Sequence, residues 1–510
     1  RGEKERDLEG AYVTPGLIDG HLHLESSLIA PSQFLRYAVG RGTTAFVVDP
    51  HESANVRGAQ GIDYILAQTE NVPADVHVMM PSCVPAAPFE RNGCAFDSED
   101  MKAYLSHPRV LGLGEVMDCP AVLSFDEEME RKLALFRGRP IDGHAPGLTP
   151  EDLNAYRIAG VLSDHECDAF SYALLERQRG MHVLIREGST ARNLEAIVTG
   201  ILRSGVPTEG FSFCTDDKHI ADVLREGHID HCVRKSIALG LAPEKAIKMA
   251  SWNTARHYGL SDIGALAPGY RANLLVLDDV TDFSLREVYY RGELLTHNFE
   301  HEVSSAPQEL LHTVNLGEFS EASLRFGVGT DGNDAIRVLP GLITNQKLRV
   351  RLPQREGFFV PDETYNKVAV VERHHGTGKC GVGAVVGFCL RGGAVATSVS
   401  HDSHNLIVIG DNDRDMVQAV REVAGMQGGY ASVSGEERLC LPLPVMGLMS
   451  EAPYGEVEQK LEAMKRAIYA HGVSQEIDPF FMLSFFALPV IPELRVTPLG
   501  LYDVGKRQFL

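Results

Sequence analysis

The sequence predicts an α/β protein whose main body is a (β/α)8 TIM-like barrel, joined to a small β-domain and an additional C-terminal α/β domain. Three observations carry that prediction. Eight short apolar runs recur between residues 13 and 217, with helical stretches between them. Most of these runs are continuous rather than alternating, as expected of strands buried on both faces. Nearly every run also ends in a residue able to do chemistry, and (β/α)8 barrels gather their catalytic groups on that face. Eight such units in roughly 220 residues match the size of the fold.

The first run, within residues 15–27, ends in His21 and His23 at i and i+2, which puts both imidazoles on one side where the strand stops. Residues 44–52 end in His51 and Glu52, residues 76–82 form the third run, and residues 110–116 carry Glu115. Residues 140–144 end in His144, 160–166 in His165 and Glu166, 181–187 in Glu187, and 211–217 in Asp216 and Asp217. Beyond them, residues 243–257 read as a helix, and 264–278 as a turn followed by a strand that returns into the small β-domain. From about residue 300, alternating strands, glycine-rich turns and a helix after Asp413 predict a separate α/β domain. The expected division is 1–14 with 259–300 for the small β-domain, 15–258 for the barrel and 301–510 for the C-terminal domain.

The totals narrow the function. At 510 residues the chain exceeds one core and calls for two or three domains. No apolar stretch approaches the ~18 residues of a membrane span, and residues 1–7 are charged with no signal core, so a cytoplasmic protein is expected. A net charge of -21, with no lysine or arginine cluster to offset it, excludes a nucleic-acid partner. Nine scattered cysteines without a C-x-x-C pair fit free thiols in a reducing compartment.

A lone His-x-His pair is more often a surface or hydrogen-bonded pair than a ligand set. Here it has company. His21, His23, Glu115, His144, His165 and Asp216 are nitrogen and oxygen donors at five strand ends, with a carboxylate able to bridge, as two divalent ions ~3.5 Å apart require.

The motifs LIDGHLHLESS at 17–27, DPHE at 49–52, GEVMD at 114–118, HAPGL at 144–148, SDHE at 163–166 and CTDD at 214–217 resemble the amidohydrolase superfamily and, within it, the adenine deaminase family. HHGTG at 374–378 and HDSHN at 401–405 look like that family's own C-terminal domain, so the resemblance covers nearly the whole chain. It implies hydrolytic deamination of adenine to hypoxanthine and ammonia, with a purine base as partner, in a cytoplasmic homo-oligomer, a dimer. It implies a binuclear divalent centre, Mn2+ first, with Fe2+ or Zn2+ as alternatives. Relatives that open cyclic amides place a carboxylated lysine where Glu115 stands, which favours the deaminase. Relatives also carry a longer segment ahead of the first run, forming half of the small β-domain, so the partner strands for residues 264–278 are expected to be incomplete.

By the same resemblance, hydroxide attacks C6 while Asp216 takes its proton and returns it to the departing amino group. Three carboxyls stand as candidates to protonate N1: Glu187, Glu166 and Glu25. Asp19 is expected to orient a histidine of the centre. Glu25, Ser26, Ser27, His51, Glu52, Asp217, His401 and His404 are candidate substrate contacts. Several have a plainer reading beside that one: His51 and Glu52 as helix caps, Asp217 and His219 as helix-start residues, and 401–405 as a turn satisfying its own backbone. The rival functions are a cyclic-amide hydrolase of the hydantoinase or dihydropyrimidinase kind, a deaminase of a related purine, and a silent scaffold. The G-x-G-x-x-G match at 327–332 leads into a strand-like run with Pro340 and not a helix, and His23-Leu24-Glu25 lacks the P-C-x-x-C of zinc cytidine-type deaminases.

Overall fold

The eight apolar runs become eight parallel strands in chain order: Leu17–Leu22 (β1), Thr43–Val48 (β2), Asp75–Met80 (β3), Val110–Val116 (β4), Ile141–Gly143 (β5), Ser163–Asp164 (β6), His182–Arg186 (β7) and Phe211–Cys214 (β8). The computed structural model describes residues 5–189, 191–295, 305–340, 342 and 344–510. Strands β1 to β5 form one ladder and β6 to β8 a second. Leu162 N donates to Ile141 O at 2.8 Å, which joins β5 to β6, and Asp216 N donates to His21 O at 2.9 Å, which brings the end of β8 back to β1 and closes the barrel.

Helices between the strands bury one apolar stripe each against the outside of the barrel. Leu194–Ser204 does so with Leu194, Ile197, Val198 and Ile201, the spacing of one helical face. Residues 243–257 form two helices, Pro243–Met249 and Trp252–His257, where the sequence suggested one. The break has a long-range cause: Ala250 O accepts Ile18 N at 2.8 Å, so that carbonyl pairs with β1.

The strand Leu274–Asp279 pairs antiparallel with Tyr12–Pro15 on one side and Ser284–Tyr290 on the other, so both its edges are occupied. Asp75 at the start of β3 accepts from Arg271, Asn273 and Arg291, fixing this sheet to the barrel. The expected boundary at 300–301 lies outside the described residues.

Residues 333–442 build an eight-stranded sheet, antiparallel except where Asn333–Val338 runs parallel to Cys380–Val386. The helix after residue 412 is Asp413–Gly425; Asn412 caps it by accepting Asp415 N at 2.9 Å, and Met416, Ala419, Val420 and Val423 pack against the sheet. This part is fastened to the barrel mouth by main-chain bonds, Ser450 N to Leu28 O and Ala30 N to Ser450 O, both 2.9 Å. Two of its segments, the loop 398–405 and the stretch after the helix Pro479–Phe485, reach the C-terminal ends of the barrel strands. No helix among the described residues is long and apolar enough to cross a membrane.

Candidate functional site

Strand β1 carries a register shift against β2 between Asp19 and Leu22. Such irregularities re-aim side chains, and this one spans His21 and precedes His23. His21 Nε2 and His23 Nε2 lie 3.2 Å apart. Asp216 Oδ1, just past β8, is 3.6 Å and 3.1 Å from them, and Glu115 Oε1, near the end of β4, is 3.7 Å and 3.2 Å away. The other Glu115 oxygen, Oε2, is 2.8 Å from His144 Nδ1 and 3.4 Å from His165 Nε2. All six residues are buried. Glu115 therefore gives one oxygen to each half of the cluster.

These separations fit metal ions. Bonds of about 2.1 Å at roughly 90–109° give ligand-to-ligand edges of about 3.0–3.4 Å, close to those seen here. Two imidazole nitrogens facing each other at 3.2 Å are mutually repulsive lone pairs unless a cation or proton lies between them. The donor set is imidazole and carboxylate with no sulfur, which suits manganese, iron or zinc. Burial alone would raise the Glu115 carboxyl, but the hydrogen bonds from His144, His165 and His23 outweigh it and hold it well below the usual carboxylate range. Asp216 follows the same pattern, with the Arg186 charge and the bonds from His21 and His23 overcoming burial. Both stay ionised and ready for a cation.

The surroundings set the ligand orientations. His23 Nδ1 donates to Asp49 O at 2.9 Å, which leaves its Nε2 lone pair facing the cluster. Asp49 Oδ2 accepts Glu115 N at 2.9 Å, an approach that depends on Gly114, since a Cβ there would stand 2.1 Å from that oxygen. Asp19 does pair with a histidine, but with His228 at 3.1 Å outside the cluster; it also accepts Thr215 N and His21 N, tying β1 to β8.

Other predicted residues separate by position. Glu166 lines the pocket and is gripped by both terminal nitrogens of Arg186, one of which also reaches Asp216 Oδ2 at 2.9 Å. Burial would raise Glu166, but Arg186 leads the groups that keep it low. Glu187 lies outside the pocket, 2.8 Å from Lys235 and 3.3 Å from Arg192. Successive side chains of a strand point to opposite faces. Leu184 lies against Gly20 of β1, so Arg186 shares its inward face and Glu187 turns out to the helices.

On the opposite rim, Ser26 Oγ is 2.5 Å from Asp217 Oδ1 and 3.3 Å from Glu52 Oε1, while Glu25 accepts Ser53 N at 3.0 Å behind them. Burial, reinforced by the Asp216 charge, pushes Asp217 up to about 6; burial, reinforced by Glu52, pushes Glu25 up to about 7. His51 opens the helix His51–Arg57, with its Nδ1 3.5 Å from Glu115 Oε1. Thus His51 and Glu52 occupy a helix start and the pocket wall together. Ser27 Oγ donates to Leu24 O within its own turn.

The C-terminal domain completes the pocket. His401 Nδ1 is 2.9 Å from Glu52 Oε1, and Asp402 lines the pocket beside it. Burial would lower the His401 imidazole, but Glu52 and Asp217 outweigh it and lift it to about 9. His404 serves the turn instead: its Nδ1 accepts Ser400 N at 3.2 Å, and burial takes its pKa down to about 3. Asp402 belongs to the 401–405 cluster, whereas Arg186, Asp49 and an apolar wall of Phe485, Leu488 and Ile491 were not expected from the sequence. Alternation along β7 puts Arg186 and Glu187 on opposite faces, and the packing of Leu184 against Gly20 decides which is inward.

The chain matches the amidohydrolase family over residues 12–304 and the adenine deaminase C-terminal domain over residues 342–508. It is 51% identical over 511 residues to the adenine deaminase of Desulfitobacterium hafniense, covering 100% of this chain and 90% of that protein. It is 42% identical to the adenine deaminase of Halalkalibacterium halodurans, covering 99% and 88% of the two chains, and 44% identical to that of Methanoculleus marisnigri, covering 99% and 95%.

Proposed function

The chain belongs to the amidohydrolase family and, within it, to the adenine deaminases, and from that premise we propose how its residues share the hydrolysis of adenine to hypoxanthine and ammonia. The family implies a divalent metal. The observation that carries the reading is Glu115, with one oxygen toward His21 and His23 and the other toward His144 and His165. A carboxylated lysine at that place would have favoured the cyclic-amide alternative.

His21, His23, Asp216 and Glu115 Oε1 would hold one ion, and His144, His165 and Glu115 Oε2 the second. Manganese is our assignment, on the sulfur-free donor set and the family resemblance. Such a pair supplies Lewis acidity and brings the pKa of water toward neutrality. Asp216 faces the cluster through Oδ1 while Arg186 holds Oδ2, so Oδ1 takes the proton from attacking water and returns it to the exocyclic nitrogen. For N1, Glu187 is turned away and Glu166 is held ionised by Arg186. Asp217 is better placed: it lines the pocket, its carboxyl is tuned near neutrality, and Ser26 orients it. As ammonia leaves, the proton on the C6 hydroxyl restores Asp217, Glu25 backs this wall, and His401 with Glu52 aligns the base.

The proposed division is 1–14 with 259–300, 15–258 and 301–510, supported by the small β-domain, the barrel and the C-terminal part having no strand pairing in common and by the matches. Nine free cysteines support a cytoplasmic setting, and the strongly exposed Phe125 and Ile158, both beside one groove, support a self-associating surface for a dimer. The test is a substrate panel with manganese added. Ammonia release from adenine with no ring opening of hydantoin is expected; the reverse would overturn the reading.

A further inference from the structure

We propose that residues 485–492 are a lid that closes on the far edge of the purine and limits the substrate to a free base, and that Arg495 is the positioning residue that latches it. The proposal rests on the adenine reading above.

The pocket is narrow as it stands. Its free space is about 30 Å3, and by the ~10–15 Å3 that one water requires it has room for about two waters and none for a purine. Some part of the wall withdraws when substrate enters. The metal-ligand side sits on strand ends of a closed barrel, each group cross-bonded to a neighbour. The other side is Phe485, Leu488 and Ile491, at and beyond the end of the helix Pro479–Phe485, and residues 486–493 have no helix or strand.

One side chain gathers that stretch. Arg495, fully buried on the strand Leu494–Thr497, donates from Nε to Ile491 O at 2.6 Å and from its two terminal nitrogens to Phe485 O at 2.7 Å and Pro492 O at 2.8 Å. Both ends of the lid are thereby tied to one guanidinium, and Val496 N adds a bond to Phe486 O at 2.9 Å. Phe485 also stacks on His401, with ring centres 4.6 Å apart, so the closed lid meets the pocket's own imidazole.

The chemistry orients the substrate. With C6 at the metal cluster, N9 lies on the opposite edge of the bicycle, and in the proposed closed state that edge meets Leu488 and Ile491. A closed apolar wall there excludes water from the reacting face and leaves no space for an N9 substituent.

The test uses the full-length, manganese-loaded enzyme with adenine and 9-methyladenine. Leu488→Ala/Ile491→Ala is expected to raise kcat/KM for 9-methyladenine relative to adenine by about tenfold or more, the size of a filled or emptied hydrophobic subsite. Arg495→Met is expected to lower kcat for adenine more than it raises KM, with Arg495→Lys recovering part of the loss. Wild-type hydrogen exchange gives a second measure that no folding defect obscures: saturating hypoxanthine slows amides of residues 485–492 by about tenfold or more. An unchanged substrate ratio in the double variant, or no protection of these amides by hypoxanthine, overturns the lid. A wild-type enzyme that releases no ammonia from adenine overturns the parent reading instead.

Discussion

The two walls of the pocket are made in opposite ways. On the barrel side the groups are charged or polar except Met117 and Ala191, and the key ones are held by named neighbours: His23 by Asp49 O, Glu115 by Asp49 Oδ2, Glu166 and Asp216 by Arg186. On the C-terminal side the contacts are mainly apolar, lie on turns and depend on a few latching bonds. Chemistry that tolerates little misplacement is carried by the closed barrel, and access is carried by the part that can yield. His401 is the exception that joins them, an imidazole from the second wall paired to Glu52 of the first.

The contrast predicts unequal sensitivities. Arg186 binds two carboxylates of the barrel wall, so Arg186→Met removes the cation that both share; kcat/KM for adenine should fall by about 100-fold or more, with the unfolding midpoint lowered as well. Steady-state ammonia release and a denaturant titration check this, and near-normal turnover would mean that the polar wall tolerates disorder as readily as the apolar one.

The joint between the walls should respond to pH. The His401 pKa is raised to about 9 in the folded chain, against about 6.5 when unfolded. Its contribution is therefore fully present below about pH 6.5 and is lost as pH rises through 9. The wild-type melting temperature should drop by about 2–5 °C over that interval from this pair, and His401→Gln should start lower and show a flatter profile. Parallel profiles would remove His401 as the joint.

The smallest effect is expected at Glu187. It is paired with Lys235 on the outside of the strand ring, so Glu187→Gln should lower stability while leaving kcat within about threefold of wild type, as for a group that no substrate touches. A loss of kcat at constant stability would return Glu187 to the site.

Much of the barrel wall was legible in the sequence because (β/α)8 strands end on one face, so reactive residues far apart in the chain are forced together. His21, His23, Glu115, His144, His165 and Asp216 could each be picked out as the polar end of an apolar run. Arg186 and Glu187 are adjacent, and an unaligned run does not say which faces inward; only the packing of Leu184 against Gly20 settles it. His401 and His404 share one polar cluster, yet the hydrogen bond from Ser400 N commits His404 to the turn. The break at Ala250 depends on a bond to Ile18, a partner more than two hundred residues away. Phe485, Leu488 and Ile491 read as ordinary core, because an apolar side chain against a pocket has the same local pattern as one against another helix.

The central claim is that one carboxylate joins two ions, and metal content measures it directly. Wild-type protein purified with manganese should carry close to two equivalents per chain and deaminate adenine. Glu115→Gln, isosteric but neutral, should carry less than one and lose activity by about 1,000-fold or more. Two retained equivalents with turnover intact would contradict the account.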